Sequence, residues 1–283
     1  MLTNGFVINT NMASLLVQRN LNTATNDMAT LMEHLSTGLK VNRSSDNPSG
    51  MALSNNMRKQ ISSIAVAKTN SQTGVSMLQT TDGDLKSIQT NISTMKNLIL
   101  QAKTGTISQA ERDSLNATYQ NALSEVTRIA TSSNYSGIKL LDGTNSGAGA
   151  IVLQVDINNN ADHKIDVSGS FTSATAASLG IGGTDISSVV NATAAESLMQ
   201  TAYDNITIQK SKVGGFVSRL NSNITRLNVK SENLQASDSL IRDTDVATDT
   251  ALLTKKQILQ QTSATLIQQA NSSLSLILTL IAR

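Results

Sequence analysis

The chain has 283 residues and a formal net charge of +2, too small to make it a polyelectrolyte partner for DNA or RNA. It lacks Cys, and its two His, His34 and His163, stand far apart. A disulfide framework, a thiolate metal centre and a His-built zinc site are therefore excluded. Aromatic residues are 2%, which removes base-stacking platforms and aromatic ligand cages.

Two further features set the fold class. Charged residues are 15%, against about 25% in ordinary domains, and Ser, Thr, Asn and Gln fill the gap. Proline occurs once, at Pro48, so few positions force a helix to stop. Long, thin helices packed along narrow seams are expected, in one or two domains at ~150 residues each. No stretch reaches the ~18 apolar residues of a membrane span. The opening residues MLTNGFVINTN carry neither a basic nor an apolar signal region, which alone reads as cytosolic.

In chain order, Val17, Leu21, Ala24, Met28, Leu31 and Leu35 form a heptad seam ending at Gly38, a helix C-cap candidate. Lys40 to Gly50 lacks helical period. Asn47-Pro48 reads as an N-cap followed by proline at the first helical position. A second helix carries Ile61, Ile64, Val75, Leu78, Leu85, Ile88, Ile92, Met95 and Ile99, and Gly105 breaks it. Ser108 and Glu111 form a capping-box pattern that opens a third helix with Leu115, Tyr119, Ala122, Val126 and Ile129.

The period then changes. Ile151, Leu153, Val155 and Ile157 alternate, as do Ile165 and Val167, with an Asn-rich loop between them, which predicts a β-hairpin. Gly143 to Gly149 and Ser168 to Gly183 read as loops. Heptads return from Leu198 and run to Ile241, a helix of about 66 Å with a local weakness at Gly214-Gly215. A last helix carries Ile258, Leu259, Leu266, Ile267, Ala270, Leu274, Ile277 and Ile281.

Candidate chemistry is thin. Asp46, Asp82 and Asp84 read as residues that satisfy turn or helix-end amides. Asp156, Asp162 and Asp166 lack the spaced calcium loop with its terminal Glu and read as a solvated loop. Gly180, Gly182 and Gly183 do not join a strand to a helix, so no phosphate loop is expected. His34 reads as a surface residue flanking the seam. No catalytic constellation and no cofactor are expected. The ending LSLILTLIAR is too apolar to be soluble alone and calls for a partner.

The stretches INTNMASLLVQRNLN, LSTGLKVNRSSDNPSGMALSNNMRKQI, SQTGVSMLQTTDGDL and NYSGIKLLDG resemble the N-terminal region of bacterial flagellin. SLIRDTDVATDTALLTKKQILQQTSATLIQQANSSLSLIL resembles its C-terminal region. The likeness covers roughly Val7 to Gly143 and Leu198 to Arg283. Two departures stand out: Ser272-Ser273 sits near a late proline common in the family, and Asp46-Asn47 replaces the usual paired acids.

The resemblance implies a mainly α fold, with long antiparallel coiled-coil-like helices formed by both chain ends and a small β-hairpin region in the middle. Residues 1–44 with 244–283 would form an inner filament-core domain. Residues 45–243 would form a helical rod, with the hairpin at about 138–172, a loop insert at about 173–190 and no large outer domain. It further implies a homopolymer that is exported through the flagellar channel, overturning the cytosolic reading, and located in the extracellular filament. Expected partners are an export chaperone, hook-junction proteins and cap proteins. A hook–filament junction protein and a cell-surface ligand-binding homologue are the alternatives, because their terminal regions resemble flagellin. The residues assigned to filament-core packing are Val17, Leu21, Met28, Leu31, Leu35, Leu259, Leu266, Leu274 and Ile277. In members that activate the vertebrate flagellin receptor, the epitope centres on an Arg late in the second helix and is completed by a Glu on the third. Here Thr94 takes the Arg position, Leu98 keeps the apolar contact and Thr118 falls near the Glu position, which implies reduced receptor affinity.

Overall fold

The computed structural model describes residues 10–148, 150–158 and 160–281; the side chains of Ala161 and of residues 274–281 lie outside the described set. In chain order it contains α1 (Met12–Thr37), α2 (Pro48–Ala102), α3 (Gln109–Ser132), β1 (Asn134–Tyr135), β2 (Ile138–Lys139), β3 (Val152–Gln154), β4 (Lys164–Asp166), α4 (Val189–Arg242) and α5 (Val246–Ile281). The chain divides into two units. One comprises the two chain ends, Met1–Lys59 with Asn233–Arg283, and the other is Gln60–Glu232.

Helix limits follow local chemistry. Gly38 stops α1 in the left-handed region at φ 72°, its N–H donating to the His34 carbonyl, as only a residue without Cβ does at low cost. Asn47 caps α2 by accepting the Gly50 N–H at 2.9 Å, and Pro48 stands at the first helical position, where its missing N–H costs nothing. Ser108 and Glu111 complete the capping box of α3. Gly83 lies inside the unbroken α2, so Asp82 and Asp84 are mid-helix residues and not turn residues; Asp84 accepts the Ser133 hydroxyl. Asp46 does hold turn amides, accepting the N–H groups of Asn42 and Arg43 at 3.0 and 2.8 Å.

The central unit owns the core. Ile88, Ile92, Met95 and Ile99 of α2, Tyr119, Val126 and Ala130 of α3, and Met199, Ala202, Ile206 and Leu220 of α4 belong to one buried cluster. α2 and α4 run antiparallel, cross-linked by Lys103 to Glu196, Lys96 to Gln200 and Gln89 to Thr207. α4 begins at Val189, nine residues ahead of the heptad signal at Leu198, because Ala192 and Ala195 are buried against the cluster. The Ser188 hydroxyl accepts the Asn191 N–H at 3.1 Å and caps this start.

Two hairpins replace the single one expected. β1 and β2 pair Asn134 with Lys139 and Tyr135 with Ile138, joined by Ser136 and Gly137 at φ 51° and 86°. Two positive φ values are what a type I′ turn requires. β3 and β4 pair Val152 with Asp166, Leu153 with Ile165 and Gln154 with Lys164. Gly74 of α2 makes room for this second hairpin, since a Cβ there would collide with Leu153 Cδ1 and meet Leu220 Cδ1 at 3.2 Å. The Ser168 to Gly183 segment is irregular but not loose: Phe171, Ala174 and Ile181 are buried. Gln209 donates to the carbonyls of Ser170 and Thr172.

Asp156 corrects the solvated-loop expectation. It is 4% exposed and ties the second hairpin to α4. Its Oδ2 lies 2.9 Å from Arg226 and 3.2 Å from His163, and its Oδ1 3.4 Å from Lys230. The Ile157 N–H donates to Oδ1 at 2.8 Å. Burial raises the carboxyl pKa, but the Ile157 N–H, the Arg226 hydrogen bond and the charges of Lys230 and Arg226 outweigh it and lower it to about 2. Asn223 adds a bond to the Val155 carbonyl at 2.9 Å. A carboxylate with a depressed pKa stabilises the fold fully above its ordinary value of 3.8, and that contribution is lost as pH falls through about 2. Asp156→Asn is expected to lower the stability of the central unit by about 1–2 kcal/mol at neutral pH, since its cationic partners are partly solvated. Urea denaturation of monomer and variant from pH 7 down to pH 2 checks this: the difference shrinks toward the acid limit.

Candidate self-assembly surface

The terminal unit is built on the antiparallel pair α1 and α5. Asn11 caps α1 by accepting the Ser14 N–H, and its amide donates to the Ala270 carbonyl at 3.1 Å. Farther along, Lys256 meets Asp27 at 2.5 Å, and one heptad on His34 faces Asp249 at 3.6 Å. His34 therefore lies on the seam and not on the surface beside it. The register closes where Leu39 bridges Asp243, the Lys40 N–H donates to the Arg242 carbonyl and the Thr244 N–H to the Gly38 carbonyl.

This pair has almost no interior. Among the described residues of the terminal unit, Ala24 and Val41 are the only fully buried apolar side chains. Val17, Leu21, Met28, Leu31 and Leu35 are half-buried along α1. The matching stripe of α5 is Leu253, Lys256, Gln260, Ser263, Ile267 and Ala270, half of it polar.

The larger apolar residues of α5 lie elsewhere. Leu252, Leu259 and Leu266, one heptad apart, are 39%, 42% and 49% exposed. Leu259 and Leu266 thus do not pack into the seam of their own chain, and Leu274 and Ile277 lie outside the described side chains. Ile258 on α5 and Met12, Leu15, Leu16 and Met32 on α1 are also exposed. Large apolar residues exposed repeatedly along both helices mark a surface that meets another molecule. No helix among the described residues is long and apolar enough to cross a membrane, so lipid is not its partner as a span.

Thr94 and Thr118 are exposed and Leu98 is half-buried. The Thr94 hydroxyl donates to the Thr90 carbonyl and the Thr118 hydroxyl to the Ser114 carbonyl, each at 3.2 Å. Both are turned back onto their own helices and offer a visitor only an acceptor oxygen.

The family model for the bacterial flagellin N-terminal helical region matches residues 8–146, and that for the C-terminal helical region matches residues 196–281. The chain belongs to the bacterial flagellin family. It is 33% identical over 287 residues to a flagellar filament 30.7 kDa core protein of Treponema maltophilum, covering 98% of this chain and 100% of that one. It is 30% identical over 275 residues to a flagellin of Halalkalibacterium halodurans, covering 97% and 99%. A crystal structure of Bacillus cereus flagellin aligns with TM-score 0.49 and 26% identity over 56% of this chain and 88% of that chain. The chain is thus a structural subunit that polymerises into the extracellular filament of the flagellum.

Family membership and the missing interior generate one expectation. In the isolated monomer, amide exchange in α1 and α5 should be fast beside that of the central unit, because opening them exposes little that is buried. In the filament both helices should become protected. Hydrogen-exchange mass spectrometry of the two states reads this directly.

Proposed function

We propose that α1 and α5 form the inner core of the filament, residues 1–44 with 244–283, and that residues 45–243 form the surrounding rod. The observation that carries this reading is the exposed Leu252–Leu259–Leu266 stripe on a helix pair with almost no interior among its described residues. Each subunit offers that stripe to neighbouring copies through heterologous contacts, which generate an open helix and not a closed ring. Val17, Leu21, Met28, Leu31 and Leu35 hold α1 to α5 in one chain, while Leu259, Leu266, Leu274 and Ile277 pack between chains. The polymer serves swimming motility, and its subunits leave the cell through the flagellar export channel, accompanied by an export chaperone and met by junction and cap proteins. No catalysis and no cofactor enter this mechanism.

Seeded elongation tests it. Monomer added to filament fragments should extend them, and Leu259→Asp should abolish extension, because a charge would enter an apolar contact repeated at every subunit. Monomer stability should be unchanged, since Leu259 is exposed there. Normal elongation by the variant would remove Leu259 from the interface; failure of the parent chain to extend seeds would favour a junction protein.

The receptor reading rests on Thr94 and Thr118. An Arg presents five donors in a planar fork, whereas a Thr hydroxyl committed to its own helix presents none. Loss of a central Arg anchor costs about 2 kcal/mol, or roughly 30-fold in affinity. A reporter assay with purified monomer should show weak activation, and Thr94→Arg should increase it.

A further inference from the structure

The cleft beside the Asp156 clasp holds more cationic and hydrogen-bonding capacity than the clasp uses. Its volume is about 560 Å³, and its walls include His163 and Lys164 from the hairpin side and Ser218, Arg219, Ser222 and Arg226 from α4. Asp156 is saturated: Arg226 and His163 meet one oxygen, the Ile157 N–H and Lys230 the other. Among the described residues, Lys164 and Arg219 have no carboxylate partner; Arg219 only lies over the Phe216 ring at 5.6 Å. Among the described residues the hydroxyls of Ser218 and Ser222 have no hydrogen-bond partner, whereas Ser211 and Thr225 on the same helix bond back to it. Ser218, Ser222 and Arg226 follow each other four residues apart, so one side of α4 presents them together.

Charge points the same way. Lys164, Arg219, Arg226 and Lys230 surround Asp156 and Asp162, which leaves an excess of positive charge even with His163 neutral. Guanidinium forks, an ammonium and two free hydroxyls suit a group with several oxygens directed differently, which a tetrahedral oxyanion has and a planar carboxylate does not.

We propose that this cleft is an oxyanion site that binds a sulfate or phosphate group, either as the free ion or as an ester on a polysaccharide. Arg219, Lys164 and the Ser218 and Ser222 hydroxyls hold the group, Arg226 serves both the group and Asp156, and Asp162 at the wall weakens the site by repulsion.

The test uses the full-chain monomer with sodium sulfate as the probe, titrated calorimetrically at constant ionic strength. The double variant Arg219→Gln/Lys164→Gln removes two cations that no carboxylate of the fold relies on, so its Tm without sulfate should match that of the parent. Affinity should fall about tenfold in the double variant, which corresponds to ~1.4 kcal/mol. Asp162→Asn should instead tighten binding about threefold, by removing a like charge, and this arm decides the matter if the double variant folds poorly. Sulfate also stabilises any protein through exclusion from its surface, but that effect is common to all three proteins. A heparin column separates the sources: retention of the parent but not of the double variant assigns a polymer-borne ester, and sulfate binding without retention assigns the free ion. Equal sulfate affinity in the three proteins, or no saturable binding, overturns the proposal.

Discussion

Two helices lying side by side can each hide one stripe, and a chain that places apolar residues on more than one stripe of such a pair cannot bury them alone. That constraint governs the terminal unit. α1 turns its half-buried stripe toward α5, and α5 answers with Lys256, Gln260 and Ser263 among its inward residues. The leucines that could have filled the seam stand one position away, in the open. A single subunit is therefore incomplete in a specific direction, and added copies are the natural completion.

Burying that surface also requires that its polar residues be cheap to take out of water. The composition supplies this. Thr23, Thr25 and Thr30 on α1, and Thr250, Thr254 and Thr262 on α5, each donate the hydroxyl to the carbonyl one turn earlier. A hydroxyl already bonded to its own helix loses little when a neighbour covers it, whereas a lysine or glutamate would lose its hydration. Low charge and abundant Thr and Ser are thus a property of a surface meant to be covered on many sides. Ser272 extends the same device: its hydroxyl bonds to the Gln268 carbonyl and α5 continues unbroken through it.

The central unit follows the opposite rule. Its cluster runs from Met77 to Leu220, and it closes without help. The helix limits of both units were legible in the sequence because they are local chemistry: Gly38 and Asn47-Pro48 in the terminal unit and the Ser108 capping box in the central one each declare themselves within four residues. What was not legible depends on distant partners. The β1–β2 hairpin has two-residue strands, too short for any alternation, and only Ser136-Gly137 marks it. Val189 and Val190 are β-branched and carry no heptad, yet the burial of Ala192 and Ala195 starts α4 there. Asp156 looked solvated because Arg226 and Lys230 lie some 70 residues away in sequence.

The last helix shows the limit most sharply. Leu252, Leu259 and Leu266 repeat every seven residues, and so do Leu253, Gln260 and Ile267, one step behind. Periodicity alone cannot say which of two adjacent stripes faces the partner helix, because both satisfy the same 3.6-residue turn. Composition would have chosen the all-leucine stripe as the inner one. The chain instead places that stripe outside and the mixed stripe inside. The strongest apolar repeat of α5 therefore reports on a contact the lone chain does not make: a hydrophobic pattern identifies which surface must be buried, but in a subunit of a polymer it does not identify what buries it.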